Sequence, residues 1–407
     1  MPATLTRRER MLRAMDHREV DAVPCAFMSF AALRARCEDA YEVTRRECAM
    51  GLDSMLFVPT SWRHQRRSHP DLRGLPVRLP PEVEVHLWLE ERPGEPFPVL
   101  VKEYHTPAGL LSTAVRKTDD WPYGNYVPFM GDYMVPRAIK PLVSTAADLE
   151  ILRTLLEPPM PEDIAAFQAE MARARAFLAA YPVLLAGGWG VGADMAGWLC
   201  GLEEMVFLAV DAPDLLRDLL ATIAEWNAAR MRVILEAGVD LFIRRGWYEG
   251  ADFWSPALFR RFLLPILRRE VALAHEYGAR FGYIMTSGAL PMLDLLLEAG
   301  IDVLIGVDPL QSGHSPLETM RDTLGGRICL WGGVNGALTV EQGSAEDVRA
   351  AVAYALEVMR DVNGFILSPV DNVTSLTRHT WRNVEVLIQT WQQLGRRPRR
   401  ESDSSGS

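Results

Sequence analysis

Four polar clusters in this chain of 407 residues have side chains that do chemistry, and each follows a short apolar run. In IRRGWYEGADFW, Arg244 and Arg245 could clamp a carboxylate through paired N–H donors, while Trp247 and Tyr248 could stack on a ring. The same stretch also reads as a salt-bridged loop with Glu249 and Asp252. In MTSGALP the hydroxyls of Thr286 and Ser287 precede Gly288 at an expected helix start, a place that binds an anion or is capped by a hydroxyl. Asn335 lies among the glycines of LWGGVNGALT, a two-way hydrogen-bonding group beside backbone that could approach a ligand closely. Close packing of strand on helix explains those glycines equally well. SPVDNVTS contributes Asp371 and Asn372, and Asp371 is the best candidate for an acid, a base or a cation partner, set against an N-cap role. The 8 histidines show no HxH, HExxH or His-Cys spacing, so no metal is assigned. A nucleophilic serine is equally unsupported, because the chain has no G-x-S-x-G elbow.

Eight apolar, β-rich runs must position these groups. They are AVPCAFM (22–28), LDSMLFVP (52–59), PVLLAGGWG (182–190), DLFIRRG (240–246), FGYIMTSG (281–288), DVLIGVD (302–308), ICLWGGV (328–334) and GFILSPVD (364–371). Amphipathic helical patterns separate them, as βαβ units require. One such helix is expected to start at Ser255 as N-cap with Pro256 behind it, and to close at Gly278. Eight parallel strands predict an α/β fold, a (β/α)8 TIM barrel, whose strand ends carry the site at the C-terminal face. A dinucleotide fold is disfavoured, since GGWGVG at 187–192 has the wrong spacing for a GxGxxG loop. Residues 62–140 break the alternation. Their antiparallel strands, with turns at Pro93-Gly94 and Pro107-Ala108-Gly109, predict an inserted β-rich hairpin region after strand 2 that could serve as a lid or an oligomer contact. We expect a single domain over 1–395 and a disordered tail over 396–407, which is charged and Ser-rich.

Composition sets the outer bounds. The formal charge of −10 repels polyanions, and the basic stretch TSWRHQRRSHPDLRG (60–74) reads as a solvated loop, so no nucleic-acid partner is expected. The 5 cysteines include no CxxC pair and leave no complete disulfide framework. The N-terminus offers no apolar signal core and no spanning run, so the expected location is the cytoplasm, away from a membrane.

TRRERMLRAMDHREVDAVPCAFM, GYIMTSGALPMLDLLLEAGIDVLIGVDP and GGVNGALTVEQGSAEDVRAAVAYALEVM with GFILSPVDNV resemble the uroporphyrinogen decarboxylase superfamily over about residues 5–60 and 180–395. That resemblance implies the same (β/α)8 barrel. The superfamily holds porphyrinogen decarboxylases and corrinoid-linked methyltransferases. Decarboxylases carry Arg-Gln-Ala-Gly-Arg after the first strand, whose arginines hold substrate carboxylates, whereas this chain reads Ser29-Phe30-Ala31-Ala32-Leu33. Their site tyrosine falls near Trp198 and their histidine near Asp371. The methyltransferase zinc ligands, a His-x-Cys and a later Cys, fall on Met285, Ser287 and Asp371.

The expectation is therefore an enzyme of this superfamily, methyltransferase-like, moving a methyl group between a small methylated compound and a corrinoid or pterin carrier. Asp371 would protonate or orient the substrate, Asn335, Asn372, Thr286 and Ser287 would bind it, and Arg244, Arg245, Trp247 and Tyr248 would meet an anionic or aromatic group. No tightly bound cofactor is expected. A corrinoid would come on a partner protein, and a homodimer stays open. The alternatives are decarboxylation of a porphyrinogen or a smaller acid, and a non-catalytic tetrapyrrole- or corrinoid-binding protein.

Overall fold

The structure is a computed structural model that describes residues 4–60, 79–310 and 317–397. The basic stretch from 61 to 74 and the tail from 398 onward lie outside the described residues. Seven strands form one sheet, in chain order: β1 (Met55–Val58), β6 (Leu184–Gly190), β7 (Leu241–Arg244), β8 (Arg280–Ile284), β9 (Val303–Val307), β10 (Cys329–Asn335) and β11 (Phe365–Val370). The intervening β2 (Glu84–Glu90), β3 (Val99–Thr106), β4 (Gly109–Arg116) and β5 (Ala138–Lys140) form a second, antiparallel sheet. The fold is α/β, and neighbours that follow one another in sequence are what a barrel of βα units requires.

One expected strand makes no ladder. Residues 22–28 contribute an isolated parallel bridge, Cys25 to Leu367, with Ala26 N donating to Leu367 O at 3.0 Å and Leu367 N to Pro24 O at 2.8 Å. On its other side Asp53 N donates to Cys25 O at 2.7 Å. Pro24 has no N–H to give, which interrupts pairing along an otherwise extended, apolar segment.

The described residues gather into two compact units: Met1–Phe57, Ala174–Ala186 and Arg280–Ser407 in the first, Val58–Arg173 and Gly187–Ala279 in the second. In the first unit β8 to β11 pair in parallel, and every residue of β9, β10 and β11 is buried, as strands covered on both faces should be. Helix Ala345–Val358 starts in a capping box of Ser344 with Asp347, and helix Arg378–Leu394 starts at Thr377, whose side chain accepts from Thr380 N. The tail expected from 396 begins in order: Arg396 bridges Ala22 and Arg397 donates to the carbonyls of Met359 and Val362.

In the second unit, Gly94 and Gly109 take left-handed φ of 85° and 139° at the two hairpin turns. One face of the antiparallel sheet packs Val99, Val101, Ala114 and Ile139 together. The single helix expected from Ser255 to Gly278 is instead two, Pro256–Phe262 and Leu264–Glu276, because Pro265 cannot continue the first and takes the opening turn of the second. Ser255 caps the first as expected, accepting from Leu258 N at 3.2 Å. All five cysteines are free and buried. Among the described residues no helix is long and apolar enough to cross a membrane.

Candidate functional site

In the first unit, β9 and β10 lie side by side and end in polar residues. Asp308 follows β9 directly and Asn335 closes β10; both are buried. Asn335 Nδ2 donates to Asp308 Oδ2 at 2.6 Å, and Asp308 Oδ1 accepts from Leu310 N at 2.9 Å. Asn335 Oδ1 accepts from Leu338 N at 2.6 Å and so caps the helical turns Gly336–Gln342. Both ends of the carboxamide are thus engaged by protein. Its glycine neighbours serve packing: a Cβ on Gly332 would stand 2.4 Å from Val307 O, and one on Gly336 would stand 2.5 Å from Val370 O.

The end of β11 holds the extended 24–31 segment. Ser368 Oγ accepts from Met28 N at 3.1 Å, and Asn372 Oδ1 accepts from Ala31 N at 2.9 Å. Trp331 Nε1 donates to Ala26 O at 2.8 Å. Residues Ser29 to Leu33 therefore lie beside this strand end, with Phe30 packed between Phe27 and Trp381 at ring separations of 4.8 and 5.4 Å. Asp371 stands exposed in the left-handed region, φ 71°. It caps no helix, since the next one opens at Arg378 under Thr377.

Thr286 is buried and Ser287 half-buried just past β8. Neither begins a helix: the first helical turn is Leu290–Met292, without a side-chain cap. Gly288 has φ 61°, a turn residue and not the first residue of a helix. The helix start on which the alternatives of an anion site and a hydroxyl cap both rested is not at Gly288, because the Gly288 turn and Pro291 postpone the helix. Thr286 instead fills the space over Gly306, where a Cβ would meet its Cγ2 at 2.6 Å.

The second unit holds the arginines. Arg244 is almost fully buried between Glu249, at 2.6 Å, and Glu270, at 2.5 Å, and donates to Arg245 O at 2.8 Å. Glu249 also accepts from Ala193 N at 2.6 Å, and Glu270 from Asn227 Nδ2 at 2.8 Å. Burial pushes the Glu270 carboxyl up, with Arg244 opposing. Arg245 has its guanidinium carbon 4.4, 4.6 and 5.8 Å from the ring centres of Trp198, Trp247 and Trp189, and its Nε 3.6 Å from Asp194. Asp194 accepts from Tyr248 N at 2.9 Å. Burial pushes its carboxyl up to about 6, with Arg245 opposing and Glu249 adding. The Tyr248 hydroxyl donates to Asp132, and burial together with that bond raises the phenol.

These groups divide by what holds them. Arg244 is a structural cation, whereas Arg245 lies among three indoles, two of which, Trp198 and Trp247, keep buried Nε1 atoms without a hydrogen-bond partner among the described residues. This unit can accommodate an anionic or aromatic group. In the first unit Thr286, Ser287, Asp308, Asn335, Ser368, Asp371 and Asn372 provide hydroxyl, carboxamide and carboxylate groups. For zinc, Met285, Ser287 and Asp371 offer a buried thioether, a hydroxyl and a carboxylate, a donor set that does not fit a soft-metal site. Sequence reasoning missed Asp308, Asp194 and Asp132. Asp308 had a signal, the polar residue ending DVLIGVD; Asp194 and Asp132 precede no motif.

A family model described as "Uroporphyrinogen decarboxylase (URO-D)" matches residues 127–393. No curated protein sequence matches the chain. Among solved structures, a methyltransferase from Methanosarcina mazei is similar over 96% of this chain and 99% of its own, with a TM-score of 0.57 and 17% identity, a likeness of fold. A D-psicose 3-epimerase from Clostridium cellulolyticum H10, 12% identical, covers 56% of this chain and 81% of its own with a TM-score of 0.36, too distant to bear on the fold.

Proposed function

The chain belongs to the uroporphyrinogen decarboxylase family, and on that premise we propose that it is an enzyme that moves a methyl group between a small methylated compound and a corrinoid or pterin carrier. One observation carries this reading: the stretch Ser29–Leu33, which lies beside the end of β11, presents hydroxyl and apolar side chains and no cation. A porphyrinogen polycarboxylate buried there would keep carboxylates unpaired, at several kcal/mol each. A neutral methylated compound meets no such penalty.

In this reading Asp371 holds a proton at the heteroatom that loses its methyl group, and Thr286 and Ser287 orient that compound through their hydroxyls. Asn335 and Asn372 act one step back, the first by holding Asp308 and the second by holding Ala31. The carrier accepts the methyl group and comes on a partner protein. No step runs through zinc.

The test mixes the purified chain with reduced cobalamin and a panel of methylated amines, thioethers and methoxylated aromatics, following loss of the reduced-corrinoid absorbance. A parallel arm supplies uroporphyrinogen and separates the products by chromatography. Methyl-dependent loss of that absorbance supports the proposal; coproporphyrinogen formation without it overturns the proposal in favour of decarboxylation.

A further inference from the structure

Strand β2 lies at the edge of the antiparallel sheet, and its apolar side chains face solvent. Val85, Leu87, Trp88 and Leu89 are 43, 36, 38 and 44% exposed, an unusual row for one seven-residue strand. The register explains where the row comes from. Val85, Leu87 and Leu89 stand opposite Tyr104, Lys102 and Leu100 of β3, all three buried. The layer over that face reaches β3, with Phe129 edge-on to Tyr104 at 5.7 Å and Lys102 Nζ donating to Val127 O at 2.7 Å. It stops short of β2, so a covered apolar surface continues into an uncovered one. Beyond β2 no further strand pairs among the described residues, leaving alternate backbone N–H and C=O groups of the edge for another strand.

We propose that β2 is a self-association edge, on which the β2 strand of a second copy of this chain pairs antiparallel across a twofold axis. Charge fixes the register. With Leu87 on the axis, Glu84 would face Glu90 of the second copy, a like-charge pair repeated twice. Moving one residue along puts Trp88 on the axis, and then Glu84 faces Arg92, Val85 faces Glu91, His86 faces Glu90, and Leu87 faces Leu89, each again repeated by the symmetry. Opposite charges bracket an apolar centre in this arrangement and like charges do not meet. The even positions stay on one face of the joined sheet and Leu87 and Leu89 on the other, so Leu87 of each copy packs against Leu89 of its partner while Val85 lies beside Glu91 at the rim. A seven-residue edge is short beside the ~800 Å² per partner of stable interfaces. The pairing is therefore a weak one that dissociates on dilution.

The experiment is sedimentation of the full chain across a dilution series, beside Leu89→Lys, which sets an ammonium against Leu87 of the other copy at an exposed position. The expected result is a monomer–dimer equilibrium whose dissociation constant rises at least tenfold in Leu89→Lys, with an unchanged circular-dichroism spectrum and melting temperature. Trp88→Cys should form a disulfide-linked dimer on mild oxidation, because residues directly opposite in an antiparallel pair bring Cα atoms to about 4.5–5.5 Å, within disulfide reach. Leu110→Cys, exposed on β4, should not. A chain that stays monomeric throughout, or a dimer indifferent to Leu89→Lys, overturns the proposal. So does a monomer whose β2 amides resist hydrogen exchange, since a segment of the same chain would then occupy the edge.

Discussion

Asn335 and Asp308 end neighbouring parallel strands and are joined by a 2.6 Å hydrogen bond, while the same carboxamide caps the turn that follows β10. Removing it leaves a buried carboxylate without that donor and a helical N–H without its acceptor. Asn335→Ala is expected to destabilise the fold by about 2–4 kcal/mol in urea unfolding. Asn335→Asp keeps the cap but sets two carboxylates at hydrogen-bond distance, so its loss should shrink as the pH falls and the pair shares a proton. Wild-type stability in Asn335→Ala would remove the residue from this role.

Asp371 occupies the left-handed region, a conformation that Asn tolerates and Ala does not. Asp371→Asn should therefore keep stability while lowering turnover or ligand binding at least about tenfold, by loss of the carboxyl that holds the proton. Asp371→Ala should lose activity and about 1 kcal/mol of stability as well. An active Asp371→Asn would mark the residue as a turn former only.

Arg244 is enclosed by two carboxylates. Arg244→Met should cost about 3–5 kcal/mol, because Glu249 and Glu270 would remain buried without their cation. Adding Glu249→Gln and Glu270→Gln should recover most of that loss. Equal stability of the single and triple variants in denaturant titrations would show that the carboxylates are satisfied elsewhere.

Lys102 is buried, and desolvation lowers its ammonium to about 7 from an ordinary 10.5. The folded chain thus binds this proton less readily than the unfolded chain does. Between about pH 7 and 10.5 its contribution to stability rises with pH, and it is lost as the pH falls back toward 7. Lys102→Met removes the titrating group, so its melting temperature should exceed the wild-type value near pH 7 and follow a flatter course up to pH 10. An unchanged slope would assign the pH dependence to other groups.

Much of this architecture is written in apolar runs. β9, β10 and β11 fall within a residue or two of DVLIGVD, ICLWGGV and GFILSPVD, since a strand buried on both faces leaves a continuous apolar stretch. The 22–28 segment reads the same way and yet forms only a bridge, as Pro24 interrupts a ladder that hydropathy cannot see. At the strand ends residue type was legible and partnership was not. Asn335 announces a hydrogen-bonding group, but Asp308 as its partner depends on β9 lying beside β10. Arg244 and Arg245 are adjacent in sequence and take opposite surroundings, carboxylates for one and indoles for the other, because successive side chains leave a strand on opposite sides.

The bond from Ala31 N to Asn372 Oδ1 spans 341 residues of sequence, and Trp391 Nε1 reaches Val23 O across 368. A ribosome synthesising this chain releases the 23–31 segment long before either partner exists. At about 5–20 residues per second, that segment waits roughly twenty seconds to more than a minute, apolar and unpaired, before β11 and the last helix emerge to receive it. The interval makes the 23–31 segment the part of the first unit that is exposed longest to chaperones, and completion of that unit waits on β11 and helix Arg378–Leu394.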